Sequence, residues 1–376
     1  MRFEVTMKMN QRVSTAGAMV SGSPQPLLDL YRQSDLVAIA QIGQSTIVET
    51  EDGSKRLKTA LRISSQFKGE NNQQVIPLYF WDDDIYPIKL EPGDRALVLI
   101  QHRESEEGKR LDGYESTDRD NSIKKLDDAA LAIYRQRLEE LTAIYRRGKP
   151  EPAELVEWLV RCVEEPATRE EGVLTLSESL FLLTVQRERE NEAESKSVEA
   201  EESAGESEDE KEADEEGSTE QSSDGDVAER DRETAKLAAA LTQDHKNRLA
   251  NTLFGIAELS EDDLELVRLV EELGDERLAP YLVTQLRRAA DDAPRFAESI
   301  AWIIAQIIND EDLKRLASEI HDSAIAAILN EGRYGDVSDR QDSTPNRRSR
   351  GVTLAAIKRS GMLKDFLKLV EYKTRR

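Results

Sequence analysis

Short apolar runs and a two-residue alternation mark the first hundred residues of the chain. Residues 36–42 and 96–101 are continuous apolar runs of strand length, and residues 75–81 form a third. Residues 57–67 place apolar or small side chains at every second position, which is the period of a half-buried strand. Turn sequences rich in Gly, Asp and Asn separate these strands, with no helical pattern between them. The pattern predicts an antiparallel sheet that curls into a small β-barrel.

The period changes to that of helices after a stretch, residues 103–121, that is expected to be a polar loop. Apolar residues recur every three or four positions over residues 127–147, again from residue 152, and over residues 173–183. These helices are expected to pack against the barrel, so residues 23–186 are predicted to form one OB-like domain with C-terminal helices. Residues 234–335 are helical throughout, which predicts an all-α domain of stacked helical hairpins. Its sequence around Gly274 and Asp275 resembles a HEAT-type repeat, with a compact irregular bundle as the alternative.

Residues 187–233 lie between these two predicted bodies and contain almost nothing that could be buried. Between Asn191 and Asp226 there are 16 acidic and two basic residues, a net charge of −14. A segment of low hydrophobicity and high net charge cannot offset the entropy lost on folding, so it is predicted to be a disordered acidic linker. Residues 1–22 and the polar residues 336–350 are predicted to be flexible. The predicted fold class is therefore α+β and multidomain.

Residues 351–376 are predicted to be a basic amphipathic helix. Ten basic and two acidic residues lie between Pro345 and Arg376. As a docking helix it would bind a protein partner or pair with the acidic linker of its own chain, most strongly at low salt. The alternatives are a helix on a membrane surface and a helix that completes the helical body. The candidate partner-binding residues form its apolar face and the lysines beside it: Leu363, Phe366, Leu367, Val370, Lys364 and Lys368.

Three stretches of the first domain carry a resemblance to a known module. They are residues 34–42 (SDLVAIAQI), residues 67–70 (FKGE) and residues 91–100 (EPGDRALVLI). Their layout resembles that of the netrin and TIMP-like modules, which implies an OB-type barrel over residues 27–103. TIMP-type inhibitors bind a protease zinc through an N-terminal cysteine held by disulfides, whereas this chain has a single cysteine, Cys162. The resemblance therefore does not imply protease inhibition.

The sequence contains no catalytic motif that we recognise. Neither the Gly-rich phosphate-binding motifs nor the GxSxG and HExxH motifs occur. The three histidines lie in different predicted elements, which gives no metal-ligand spacing. No cofactor is expected.

One acidic loop is a candidate cation site. Asp82, Asp83 and Asp84 follow Trp81, and several carboxylate oxygens together suit a hard cation such as calcium. A solvated turn is the alternative reading of this loop.

These observations favour a non-enzymatic protein–protein interaction or scaffold protein. The alternatives are an enzyme of hydrolase type or a metal-binding protein that uses the carboxylates of the barrel loops, and an exported cell-envelope protein. The net charge of −24 argues against nucleic-acid binding, and the strands offer Phe80 and Trp81 but few basic residues. No apolar stretch is long enough for a transmembrane segment. The lack of a signal-peptide pattern predicts a cytoplasmic protein, with a lost leader as the alternative.

Overall fold

The fold is known from a computed structural model. It describes residues 25–49, 55–70, 73–81, 90–104, 110–118, 121–203, 224–291, 296–333 and 346–375. The contacts divide the chain into two compact units, and the division lies between Arg135 and Gln136. The first unit contains a β-sheet, and the described part of the second unit contains only helices.

The sheet of the first unit has six strands. They are β1 (Leu36–Glu49), β2 (Lys55–Lys68), β3 (Val75–Trp81), β4 (Arg95–Glu104), β5 (Arg110–Ser116) and β6 (Ile123–Lys125). The first four lie where the apolar runs and the alternation predict strands. β5 lies inside the stretch expected to be a polar loop, and that expectation is wrong. Its sequence is mostly polar, so its conformation depends on pairing with neighbouring strands and not on an apolar pattern of its own.

The strand pairings form a closed cycle. β1 pairs antiparallel with β2 and with β4, β2 pairs with β3, and β4 pairs with β5 and β6. β3 and β5 pair in parallel, through Leu78 with Tyr114 and Tyr79 with Glu115. The cycle is therefore β1-β2-β3-β5-β4-β1, and the sheet is mixed. The expectation of a purely antiparallel sheet is wrong at this one pair, because β5 returns beside β3 as well as beside β4.

Alternate positions of the strands form the core of the sheet. Its buried members are Leu36, Ala38, Ala40, Ile42, Leu61, Ile76, Leu78, Phe80, Ala96, Val98, Ile100, Tyr114 and Ile123. The intervening positions of β1 and β4 are also buried, among them Val37, Ile39, Leu97 and Leu99. Helix α1 (Leu27–Gln33) contacts β4 and buries its own leucines. Both faces of β1 over residues 36–40 and of β4 over residues 96–100 are thus covered, and this explains the continuous apolar sequences of these parts.

Ten further α-helices follow among the described residues. They are α2 (Asp128–Arg146), α3 (Pro152–Glu164), α4 (Arg169–Ser203), α5 (Asp224–Ala239), α6 (Gln243–Phe254), α7 (Leu264–Glu272), α8 (Leu278–Ala289), α9 (Phe296–Ile308), α10 (Glu311–Arg333) and α11 (Asn346–Thr374). Successive helices are joined mostly by short connections and pack as hairpins, including α3 with α4, α8 with α9, and α10 with α11. This arrangement follows from apolar residues that recur with the period of a helix.

Helices on the two sides of the acidic segment pack together inside the second unit. α3 packs against α5 and α6, and α4 packs against α5 and α7. Arg248 of α6 donates two hydrogen bonds of 2.7 and 2.8 Å to Glu164 and one of 2.7 Å to Glu157, both on α3. The helices expected to close the barrel domain thus share a unit with those of the predicted all-α domain. Their apolar faces, with Leu159 and Cys162 fully buried on α3, are the physical reason.

Both ends of the segment predicted to be an acidic linker are helical. α4 continues to Ser203 and α5 begins at Asp224, and Glu, which is frequent there, is a good helix former. Residues 204–223 lie outside the described residues, as do residues 1–24 and 334–345. None of the described helices is long and apolar enough to cross a membrane.

Candidate functional site

The predicted metal ligands Asp82, Asp83 and Asp84 lie outside the described residues. Within the described ranges, no group of three or more His, Cys, Asp or Glu side chains is placed to hold a metal ion. The metal-binding and hydrolase alternatives that rest on these three carboxylates therefore stay predictions.

The predicted partner-binding residues of α11 fall into two sets. Lys364 and Lys368 are exposed and form ion pairs with Asp291 and Asp365. The apolar set is buried, because α11 packs against α8, α9 and α10. Its members are Leu363, Phe366, Leu367 and Val370. The apolar face is thus occupied inside the helical unit, which matches the alternative of a helix that completes this unit. Docking on a partner stays a prediction, and it requires α11 to leave its place.

Other charged groups of α11 are also engaged within the helical unit. Lys373 donates from Nζ to Asp310 at 2.7 Å and to Asp312 at 3.2 Å, and Glu371 accepts from Arg287 at 2.7 Å. The hydrogen bond between Lys373 and Asp310 raises the pKa of Lys373 and lowers the pKa of Asp310. Pairing of the acidic linker with this helix stays a prediction, and these contacts compete with it.

The lysine and glycine of the FKGE stretch hold α1 against β2. Lys68 donates from Nζ to the carbonyl oxygens of Tyr31 and Arg32 at 2.7 and 2.8 Å, at the C-terminal end of α1. Burial lowers the pKa of Lys68, and the nearby carboxylate of Asp35 opposes that shift. Gly69 has a φ of 90°, and a Cβ there would lie 2.3 Å from the carbonyl oxygen of Asp35. Both residues therefore have structural roles.

The two other stretches that carry the family resemblance also stabilise the fold. Asp35 accepts a hydrogen bond of 2.7 Å from the backbone N–H of His102. Asp94 accepts one of 2.8 Å from the N–H of Glu91 and pairs with Lys125 at 2.8 Å. The residues that resemble the netrin and TIMP-like modules thus connect strands and turns, and a candidate site lies elsewhere on the sheet.

A basic surface lies on one side of the sheet. We call this side the outer face and define it by the positions of β2, β3, β4 and β5 that alternate with the core positions. Arg56, Lys58 and Arg62 occupy such positions on β2, because every second side chain of a strand points to the same side. The strand register places Lys58 beside Tyr79 of β3, and Tyr79 beside Glu115 of β5. This row crosses three strands of the cycle.

Tyr79 lies at the centre of the outer face. The Nζ of Lys58 is 5.3 Å from the centroid of its ring, and the guanidinium carbon of Arg103 is 4.2 Å away. Both distances are within the range of cation–π attraction. Gly113 permits this packing, because its φ is 89° and a Cβ there would lie 2.6 Å from Cε2 of Tyr79. Tyr79 is only 8% exposed, so it supports two cations and is not itself a free stacking surface.

Among the described residues of the outer face, cations outnumber carboxylates. Arg56 donates to Glu115 at 3.4 Å, a weak contact for an ion pair. Arg62 is exposed and has no salt-bridge partner among the described residues. Lys58 and Arg103 add two further cations, so positive groups predominate among the described residues of this face, on a protein whose overall net charge is −24. This local reversal of sign favours an anionic ligand.

A shallow depression of about 330 Å³ adjoins these cations. Lys58 and Thr46 line it, together with Ala60 and Pro77, which are paired in the strand register. Val75 also lines it and is 49% exposed. The depression therefore offers apolar contact directly beside a cation.

The expectation that the strands contain few basic residues is wrong. β2 alone contains Lys55, Arg56, Lys58, Arg62 and Lys68. The two-residue alternation applies to basic residues as well as to apolar ones. It would have placed Arg56, Lys58 and Arg62 on one face of β2. No pattern along the chain predicts that Arg103 lies over Tyr79, because their strands, β3 and β4, are consecutive in sequence but are separated by β5 in the sheet.

The chain matches no protein-family model and no curated protein.

Proposed function

We propose that this chain is a non-enzymatic interaction protein that binds an anionic partner through the outer face of its sheet. The observation that carries this proposal is the set of cations on this face: Lys58 and Arg103 lie over the covered ring of Tyr79, Arg56 contacts Glu115, and Arg62 lies farther along β2. A cluster of this kind on an acidic chain raises the local concentration of anions and orients an anionic partner. The helical unit serves as a scaffold.

The proposal includes a finer reading of the fold. We infer that the cycle β1-β2-β3-β5-β4-β1 is a small barrel of the OB type, and that the helical hairpins are HEAT-like. The strand order and the parallel pair of β3 and β5 support the first inference. OB-type barrels bind ligands on the face of their second and third strands, which is where Lys58 and the depression lie.

Affinity capture with a matched pair of variants tests the proposal. Tagged full-length protein, its Lys58→Glu/Arg62→Glu variant and its Arg315→Glu variant are used to capture partners from a lysate of the source organism. Proteins and nucleic acids are then quantified at low and high salt. Arg315 is exposed on α10 and forms a surface pair, so its reversal controls for a charge reversal away from the sheet, although it changes the net charge by half as much as the double variant.

We expect one anionic partner that the unaltered protein and the Arg315→Glu variant capture equally and that the double variant loses. Capture should weaken as salt is added, since exposed charges are screened over about 10 Å at 0.1 M salt. A partner held equally by all three proteins refutes the outer face as the binding surface. Circular dichroism of the double variant must match that of the unaltered protein, because a misfolded sheet would also lose the partner.

A further inference from the structure

We infer that the anionic partner is an acidic polypeptide segment that lies extended along β2 and places one apolar side chain in the depression beside Lys58. This inference rests on the proposed function and specifies the chemistry of its ligand.

The spacing of the cations matches an extended peptide. Arg56, Lys58 and Arg62 share one side of β2, with Ala60 between the last two. Alternate residues of a strand are about 6.8 Å apart, and alternate residues of an extended peptide have the same repeat. Carboxylates at every second position of a peptide parallel or antiparallel to β2 therefore meet the cations in register.

The gap in this row of cations is apolar. Ala60 occupies the position between Lys58 and Arg62 where no cation is present. It is exposed and lies opposite Pro77, and the exposed side chain of Val75 adjoins it. An acidic side chain at this point of the ligand would lose its hydration without a partner, whereas an apolar side chain would bury surface against three apolar residues. The ligand is therefore acidic at its flanks and apolar at its centre.

The same surface is poorly suited to single-stranded nucleic acid. Sequence-tolerant binding of single strands relies on aromatic rings on which bases stack. The described aromatic ring of the outer face, Tyr79, is covered by Lys58 and Arg103. Phe80 faces the core of the sheet. The described side chains of the outer face thus offer charge and an apolar depression, and the ring among them is covered, while the side chain of Trp81 lies outside the described residues.

Fluorescence anisotropy with four labelled probes tests this inference. Three probes are peptides of nine residues: one with a central Leu and with Asp or Glu at every second position on both sides of it, one with Ser in place of Leu, and one with Leu but with amides in place of all carboxylates. The fourth probe is a nine-nucleotide thymidine strand. The proteins are the full chain, Lys58→Glu/Arg62→Glu, Ala60→Trp to fill the depression, and the Arg315→Glu control.

We expect the acidic Leu peptide to bind most tightly, with about a tenfold loss of affinity in the double variant, since charge complementarity supplies most of the attraction. Ala60→Trp should weaken the Leu peptide and leave the Ser peptide unchanged, and Arg315→Glu should change neither. No binding of the Leu peptide, or equal binding of the Leu and Ser peptides, overturns the inference.

Tighter binding of the thymidine strand, lost in the double variant, also overturns this inference but leaves the proposed function intact. Peptide binding that is unaffected by the double variant contradicts both, because the outer face would then not be the site. The two proposals therefore fail in different ways.

Discussion

Replacing Glu271 with Gln should stabilise the helical unit at neutral and alkaline pH but not at acidic pH. Glu271 lies on α7, next to the buried Val270, and its side chain is largely removed from water. Burial raises the pKa of this carboxyl from its usual 4.5 to about 7, with a further contribution from the charge of Glu272, while Arg268 opposes the shift. The folded state therefore disfavours the ionised form.

The sign and the size of the effect follow from the two pKa values. Below pH 4.5 the carboxyl is protonated in both the folded and the unfolded chain, so it costs nothing. Between pH 4.5 and pH 7 it ionises in the unfolded chain only, and the free energy of unfolding falls as the pH rises. Above pH 7 the cost is constant at about 3 kcal/mol as an upper bound, and partial exposure reduces it to about 1–3 kcal/mol.

Urea unfolding followed by circular dichroism at a series of pH values measures this difference. We expect Glu271→Gln to match the unaltered protein at pH 4 and to be more stable by about 1–3 kcal/mol at pH 8. Glu276→Gln is the control, because Glu276 is exposed just beyond the same helix. A gain that is the same at pH 4 and pH 8, or a loss of stability at pH 8, refutes the reasoning.

Two further substitutions test the packing. Phe366→Ala should lower the free energy of unfolding by about 3–5 kcal/mol, because Phe366 is fully buried between α11 and its neighbours. Tyr372→Ala is the control, because the side chain of Tyr372 is 52% exposed. Similar small losses of stability in both variants would contradict the placement of α11. Gly69→Ala should lower the thermal unfolding temperature more than Gly93→Ala. Both glycines have a positive φ, but only the new Cβ at residue 69 meets an atom, the carbonyl oxygen of Asp35, so equal effects would rule out the steric part of the argument.

The positions of most strands and helices could be predicted from the amino-acid sequence alone. Strand and helix periods depend on neighbours two to four positions away, so β1 to β4 and the helices of the second unit could be located from the apolar pattern. The amphipathic character of α11 was predictable for the same reason. The role of α11 was not predictable, because an apolar helix face has the same sequence pattern whether it packs on a partner or on its own chain. In the structure, Phe366 is buried within the chain's own helical unit.

Which elements pack against each other depends on long-range contacts that the sequence pattern does not reveal. β5 is a strand because it lies between β3 and β4, and α3 belongs with α6 because Arg248 and the apolar faces join them across the acidic segment. The candidate site also depends on long-range pairing. The row of cations on β2 is visible in the sequence, but Arg103 reaches Tyr79 only because β4 pairs with β5 and β5 pairs with β3. Such pairings join residues distant along the chain, and the local pattern of a segment contains no information about which distant segment it will contact.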